Sequence, residues 1–568
     1  MAKARRKNVG EEFVFLPLGG VGEIGMNLAL YGFGRPEDRR WIIVDFGITF
    51  ASEFDEPGVD IILPDIRFAI EERKNILGIV ITHAHEDHYG ALLDLWPKLE
   101  VPVFMTPFAA GLLEAKAEGE AKFIGEGKVP KVDIRRFTRG ERWQLGPFDI
   151  EAIGVAHSIP ESVALAIRTP LGTAIHTGDW KIDETPVVGW TTDFARLAEI
   201  GREGVRALVC DSTNVVRDGI SPSEREVSKT LTEIVASAPA RVAVTTFASN
   251  IARIRSVAEA AVANERSVVV LGRAMKRAID VARELGMFDG LPEFLGEDAY
   301  GYLPRENVVA LLTGSQGEPR AALARIASGD HRNISMSQGD IVIFSSRTIP
   351  GNEKSVNAIM NNLAKQGATI VTDRDALVHV SGHPRRGELK RMYEAVKPQV
   401  AIPVHGEPLH LAMHAKFARA EGVREVVVTG NGKMVRLAPG PAEEVDEAFA
   451  GRLFRDGSLL LEPDKSGAQE RKKASFAGVI AIALVLDGKG ALAADPELAL
   501  IGIPEEDRGG VDFVDICADA VTETVEGLPR PRRRDPDLVE DAVRRAVRAR
   551  VNERWGKKPI VEVMVVQV

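Results

Sequence analysis

The sequence predicts a layered α/β protein: a first domain interrupted by a second lobe, then a small terminal domain. Three observations predict it. From about residue 12, short apolar runs end in Gly, Asp or His, as buried strands do where they run out into loops: FVFLPLGG, WIIVDFG, ILGIVITHAH, VPVFMT, FDIEAIGVAHS, GTAIHTGDW and VRALVCDSTN. From about 222 helix and strand alternate over longer stretches, with RVAVTTF, SVVVLG, NVVALLTG and DIVIFSS as the strands, the βαβ pattern of a separate lobe. From about 370 the short strand-like runs of the first domain return in ATIVTD, ALVHVSGH, VAIPVHGE and VREVVVTG, so the lobe reads as an insertion.

The boundaries that follow are 1–218 and 371–440 for the two parts of the first domain, 219–370 for the inserted lobe, 441–475 for a linker rich in Pro, Gly and charge, and 476–568 for the terminal α/β domain. Helices are expected around 67–74, 90–96, 108–118 and 193–202. Ser221 before Pro222 and Glu224 reads as a helix cap with proline in the first turn. In the tail, GVIAIALVLD and KPIVEVMVVQV read as strands around a helix at 536–555. No internal repeat is present in the sequence.

With 568 residues, 45% hydrophobic and 27% charged, the chain has material for roughly three or four globular units. Its longest apolar runs are too short to span a bilayer, and the basic start MAKARRKNVGEEF lacks the apolar segment of a secretory signal. Two cysteines far apart in sequence, Cys210 and Cys517, argue against a disulfide framework or a thiolate zinc site and fit a reducing cytoplasm. A net charge of −10 disfavours a protein that coats nucleic acid, but leaves room for a local basic channel.

The strongest chemical signal is His83-Ala84-His85-Glu86-Asp87-His88, between the apolar strand ILGIVIT and the helix GALLDL. Imidazole and carboxylate ligands suit Zn²⁺ or Mn²⁺. The alternation lets His83 and His85 serve one ion, and Asp87 and His88 a second. The bland alternative, a solvated polar turn, fits poorly with three of only 11 histidines in six residues. His157, Asp179 and His405 stand where other strands run out and would complete the two sites, with Asp179 as the bridge. His176 is a rival that reads better as a core residue. Asp45, in WIIVDFG, is placed to hold a ligand histidine by its free ring N–H.

With these residues in place, the chain resembles the metallo-β-lactamase superfamily in its β-CASP branch, and within it the ribonuclease J family. Asp211 in CDSTN, His383 in HVSGH and His405 in PVHGE match the branch's extra motifs. LGGVGEIGMN, CDSTNVVRDG, TTFASN, LTGSQGEP and SSRTIPGNE match the family in order across roughly residues 12–435. The resemblance implies an αββα sandwich with an inserted α/β β-CASP domain and a small α/β C-terminal domain. It implies two divalent metal ions, Zn²⁺ before Mn²⁺, one held by His83, His85, His157 and Asp179 and the other by Asp87, His88, His405 and Asp179. Asp211, His383 and Asp87 would be catalytic, with His383 stabilising the phosphate or protonating the leaving oxygen.

The implied activity is metal-dependent cleavage of single-stranded RNA, 5′→3′ from a 5′-monophosphate and also internally, in rRNA processing and mRNA decay. Hydroxide shared by two metals would attack the phosphodiester to give 5′-phosphate products. Phe247, Ala248 and Ser249 in TTFASN offer a stacking ring and a helix start for a phosphate, with Ser249 and Asn250 as caps of the helix that follows. His379, Val380, Ser381, Gly382 and His383 would cradle the nucleotide. Arg347 and Asn352, then Arg385 and Arg386, are weaker candidates for the same channel. The basic helix near 536–555 reads as packing its apolar face and exposing its arginines. A cytoplasmic homodimer or homotetramer with partners in RNA degradation is expected from the resemblance. The complete ligand set argues against a non-catalytic assembly subunit, and the large insertion against a small ester substrate; a DNA substrate stays open. LGGVGEIG lacks the G-x-G-x-x-G spacing of a dinucleotide loop.

Overall fold

The computed structural model describes residues 10–52, 54–349 and 351–568. The basic N-terminal stretch 1–9 and Pro350 of SSRTIPGNE lie outside the described residues. The chain forms two compact units, one running to Thr49 and again over Leu63–Arg452, the other combining Phe50–Ile62 with Leu453–Val568.

In the first unit two sheets lie face to face. One has eight strands in the order Glu443–Glu447, Lys433–Ala438, Glu12–Gly19, Leu28–Gly34, Arg40–Val44, Ile76–Val80, Val103–Met105 and Ile134–Arg136. The other has seven, in the order Glu425–Val426, Val400–Val404, Ala207–Asp211, Gly172–His176, Val163–Thr169, Phe148–Gly154 and Arg142–Leu145. Strand alternation explains the packing. Val163, Leu165 and Ile167 point into the core shared by the two sheets, whereas Ala164 and Ala166 point to the outer layer of Leu197, Ile200, Leu389 and Met392. On the far face of the eight-stranded sheet, Phe68 of the short helix Arg67–Glu71 packs edge-on to Trp41 at 5.4 Å.

The inserted lobe carries a five-stranded, all-parallel sheet in the order Ser267–Leu271, Val308–Leu312, Val242–Thr245, Ile341–Phe344 and Thr369–Val371. Its strands are near-continuous apolar runs, as a sheet covered on both faces requires. Thr369–Val371 pairs here, so ATIVTD belongs to this lobe and not to the returning first domain. ALVHVSGH, expected among the strands of that domain, is irregular backbone. The reason is that its carbonyls are taken by side chains: the Val378 carbonyl accepts from Arg253 and Ser345, and the Gly382 carbonyl faces His157 Nδ1.

One helix start also differs from expectation. The helix Glu224–Ser237 is capped by Ser223 in a reciprocal capping box with Glu226, while the Ser221 hydroxyl donates to Glu388 at 2.9 Å. Of Ser249 and Asn250, both offered as caps of the next helix, Asn250 caps Ile251–Ala263, its side chain accepting from the Arg253 N–H. The expected helices at 108–118 and 193–202 run as Pro107–Ile124 and Phe194–Glu203. The stretch 441–475 is no bare linker. Glu443–Glu447 is an edge strand whose charges face solvent, and Arg452–Asp456, Leu459–Leu461 and the helix Ala468–Ala477 follow. Nor is 1–218 contiguous, since 50–62 clusters with the C-terminal unit.

In that unit, Val479–Leu486 sits between antiparallel Glu497–Ile501 and parallel Ile560–Gln567. The helix Pro536–Trp555 buries Val539, Val543, Val547 and Val551, one per turn, against this sheet and the helix Phe513–Gly527. Both cysteines are buried and free. No helix among the described residues is long and apolar enough to cross a membrane.

Leu165, fully buried between the two large sheets, tests the packing. Leu165→Ala should lower unfolding free energy by about 2–5 kcal/mol, read from the urea midpoint at unchanged m-value.

Candidate metal centre

The site lies where the strands of both large sheets end. The Ile76–Val80 strand delivers His83, His85, Asp87 and His88; Phe148–Gly154 leads to His157; Gly172–His176 to Asp179; Ala207–Asp211 ends in Asp211; Val400–Val404 precedes His405. Two of these loops are approached closely by glycine backbone. A Cβ on Gly47 would fall 1.7 Å from the Asp87 carbonyl oxygen, and one on Gly382 would fall 2.5 Å from His157 Cε1, so only glycine fits at either position.

His83, His85, His157 and Asp179 form one set of candidate ligands, and Asp87, His88, Asp179 and His405 a second, each with its donor atoms within 4.8 Å of one another. In the first, His83 Nε2 and His157 Nε2 each lie 3.1 Å from His85 Nδ1, and both lie 3.7 Å from Asp179 Oδ2. In the second, His405 Nε2 is 3.2 Å from Asp87 Oδ2, and His88 Nε2 is 3.3 Å from Asp179 Oδ2. A tetrahedral ion with bonds of 2.0–2.1 Å sets neighbouring donors about 3.3 Å apart. Both sets therefore fit a divalent cation of zinc's size. Asp179, 2% exposed, is common to both. Asp211, His383 and His405 form a third group around it, with His383 Nδ1 2.8 Å from Asp211 Oδ2.

The electrostatics divide along the same line. Burial, the largest effect, holds His83 and His157 well below the usual imidazole range and His85 down to about 4, leaving ring lone pairs free. Burial acts against the charged form of His88, His405 and His383 too, but carboxylates outweigh it. Asp179, Asp87 and Asp45 raise His88 well above its usual value; Asp179, Asp211 and Asp87 push His405 up to about 10; Asp211 and Asp179 raise His383. Burial opposes ionisation of Asp87, Asp179 and Asp211, and the surrounding histidines reverse it and hold all three low. Three anionic carboxylates are thus matched by charge on His88, His405 and His383, and a bound cation would replace the protons of His88 and His405.

Asp45 has Oδ2 2.7 Å from His88 Nδ1, and it also accepts from the Thr82 N–H and hydroxyl. Asp45 and His405 both hold left-handed backbone, at φ +62° and +51°, a strain that persists only where surroundings enforce it. His176 is buried, with Tyr31 Oη 3.1 Å from its Nδ1. Ser381 and Gly382 lie beside the site: Asn214 Nδ2 donates to Ser381 Oγ at 2.8 Å and to the His383 carbonyl at 3.1 Å. Val380 is buried and His379 half-buried. Phe247, Ala248 and Ser249 are half-buried just before the helix Ile251–Ala263. Arg385 and Arg386 are tied to the Ile220 and Val215 carbonyls, and Arg347 faces Asp373 at 3.6 Å.

Sequence reasoning gave no role to Thr82, Thr213, Asn214 or Asn27. Thr82 Oγ1 lies 3.0 Å from His83 Nδ1, Thr213 Oγ1 3.1 Å from His405 Nδ1, and Asn27 Nδ2 donates to the Asp87 carbonyl at 3.1 Å. Adjacency to a ligand could have flagged Thr82, but the other contacts join distant segments.

Comparison with known proteins meets this geometry. The chain is 56% identical over 558 residues to ribonuclease J of Sinorhizobium meliloti, covering 98% of each. It belongs to the ribonuclease J family. Ribonuclease J of Mycolicibacterium smegmatis is 38% identical, over 97% of this chain and 96% of its own. Ribonuclease J of Corynebacterium glutamicum is 36% identical, over 96% of this chain and 74% of its own. Residues 34–244 match the metallo-β-lactamase superfamily, 239–363 the ribonuclease J β-CASP domain, 367–428 the Zn-dependent metallo-hydrolase RNA specificity domain and 468–568 the ribonuclease J C-terminal domain. A crystal structure of a protein of unknown function from Enterococcus faecalis V583 superposes with TM-score 0.54 at 15% identity, over 75% of this chain and 100% of that one, a likeness of fold alone. As a ribonuclease J family member the chain has a metallo-β-lactamase domain with a β-CASP insertion and a C-terminal domain, and is a nuclease of the hydrolase class.

Asp45→Asn keeps the size of the side chain but removes the charge that orients His88. Zinc affinity at the Asp87–His88–His405 set should fall about 10- to 100-fold, read by chelator competition, with the other set retained.

Proposed function

We propose that this chain is a metal-dependent ribonuclease that degrades single-stranded RNA 5′→3′ from a 5′-monophosphate and also cuts internally, leaving 5′-phosphates. The observation that carries this reading is the sharing of Asp179 by two four-ligand sets, with His383 of the HVSGH loop 3.8 Å from the same carboxylate. His83, His85, His157 and Asp179 would hold one cation, and Asp87, His88, His405 and Asp179 the other, Zn²⁺ before Mn²⁺ from the imidazole-rich donors. Bound there, such ions lower the pKa of a water towards neutrality and offset charge on phosphoryl oxygens.

The chain's own groups do the rest. His383 turns Nδ1 to Asp211, which leaves Nε2 for the substrate. Held charged by Asp211 and Asp179, it donates to a phosphoryl oxygen or to the departing 3′-oxygen. Asp211 keeps the His383 ring in place, and Asp87 would act as a ligand, its Oδ2 3.2 Å from His405 Nε2. Ser381 and the Gly382 backbone, with His379, receive the nucleotide and its 5′-phosphate; Asn214 fixes Ser381 for that contact. Burial, and then the cations Arg253, Arg347 and Lys181, keep His379 neutral. Phe247 supplies a face for a base, with Ala248 and Ser249 beside it. The reading extends to maturation and decay of ribosomal and messenger RNA in the cytoplasm by a homodimer or homotetramer, alongside other RNA-degrading proteins.

A time course on end-labelled RNA with added Mn²⁺ or Zn²⁺ tests it. Mononucleotides should appear rapidly from 5′-monophosphate RNA, slowly from 5′-triphosphate RNA, and not at all with His83→Ala. Internal fragments alone would remove the end-sensing loop from the account, and an enzyme inert on RNA but active on single-stranded DNA would overturn it.

A further inference from the structure

We infer that Arg253 is a positioning residue for the loop Val378–His383, acting through a buried charge network that reaches the site without touching substrate. The inference rests on the assignment of that loop to the substrate. Arg253 lies in the inserted lobe's helix Ile251–Ala263 and has 0% of its side chain exposed. Its Nη2 donates to Glu224 at 2.9 and 3.1 Å and its Nε to Glu224 at 3.2 Å. On the other side, Nη1 donates to Ser345 Oγ at 2.5 Å, to the Ser345 carbonyl at 3.0 Å and to the Val378 carbonyl at 2.8 Å. Ser345 Oγ in turn donates to the Val378 carbonyl at 2.6 Å.

Three chain segments are thus tied at one guanidinium: the start of the lobe's first helix, the end of its strand Ile341–Phe344, and the beginning of the loop. The network continues towards the metal ligands. The Glu224 N–H donates to Asp183 at 2.9 Å, and Lys181 Nζ lies 3.0 Å from Asp183 and 3.9 Å from Glu224. Lys181 is two residues beyond Asp179, and its N–H donates to the carbonyl of Ala156, the neighbour of His157. Two cations and two carboxylates, all at most 3% exposed, balance each other.

A buried ion pair contributes little net stability relative to an apolar replacement; its attested use is to fix one arrangement among several. The loop needs such a device. Val378–His383 has no strand partner. Its downstream end is held by Asn214, by the Gly382–His157 contact of 2.7 Å and by the His383–Asp211 contact. Its upstream end is held at the Val378 carbonyl by Arg253 and Ser345, both from the inserted lobe. The lobe thereby sets where His379 and Ser381 stand relative to His157 and His383.

Ser345→Ala cuts two of these bonds and leaves the Arg253–Glu224 pair intact; Arg253→Lys keeps the charge but cannot serve both sides. The test is hydrogen exchange and kinetics on RNA, with both variants as full-length, metal-loaded enzyme. In Ser345→Ala the amides of 379–383 should exchange at least about tenfold faster with bound metal unchanged, and the preference for 5′-monophosphate over 5′-hydroxyl RNA should fall between about 10- and 100-fold, mainly through KM. Arg253→Lys should show the same pattern; if it does not fold, Ser345→Ala decides alone. Exchange in the loop matching wild type would overturn the inference, and so would faster exchange with unaltered end preference. A wild-type enzyme inert on RNA would instead fault the substrate assignment, on which the exchange measurement does not depend.

Discussion

The carboxylate of Asp179 is the constraint on which the site depends. Five histidines, His83, His88, His157, His383 and His405, have a ring nitrogen within 3.8 Å of it, and it is almost fully buried. An isolated anion in that position would be expelled or neutralised. It is tolerated because the loops of both sheets bring positive or cation-binding groups to it, and each such loop needs its own support. Asp45 and Thr82 orient His88 and His83, Gly382 meets His157, and Thr213 meets His405. Left-handed backbone at Asp45 and His405 is the local cost of that convergence, about 1–3 kcal/mol at each.

The two packed sheets make the convergence possible. Their central strands are buried on both faces, and those that lead to the site residues run out at one end, so the loops start from rigid ends. The inserted lobe adds a parallel sheet of its own and, through Arg253, Ser345 and Glu224, a fixed attachment to the loop that carries His383. Candidate ligands from the sandwich and contacts from the lobe meet at the loop Val378–His383.

Much of this is legible in the sequence. Three histidines and an aspartate in six residues after an apolar strand locate the centre, and His157, Asp179 and His405 fall at other strand ends; the structure brings all of them together. What is not legible is long-range. Whether Ser221 or Ser223 caps a helix is decided by Glu388, 167 residues away from Ser221. ALVHVSGH has the composition of a strand, and becomes a loop because Arg253 and His157 compete for its backbone. Asn27 meets Asp87 across 60 residues, so no local pattern announces it. The charged stretch after 440 reads as linker because its strands are short and solvent-facing, which removes the apolar alternation that marks a strand.

The most direct measurement of the central claim is anomalous scattering from crystals grown with zinc, with data collected on both sides of the zinc edge. The account predicts two peaks per chain on either side of the Asp179 carboxylate, one among His83, His85 and His157 and the other among Asp87, His88 and His405. A single peak, or metal bound elsewhere with Asp179 free of it, would contradict it.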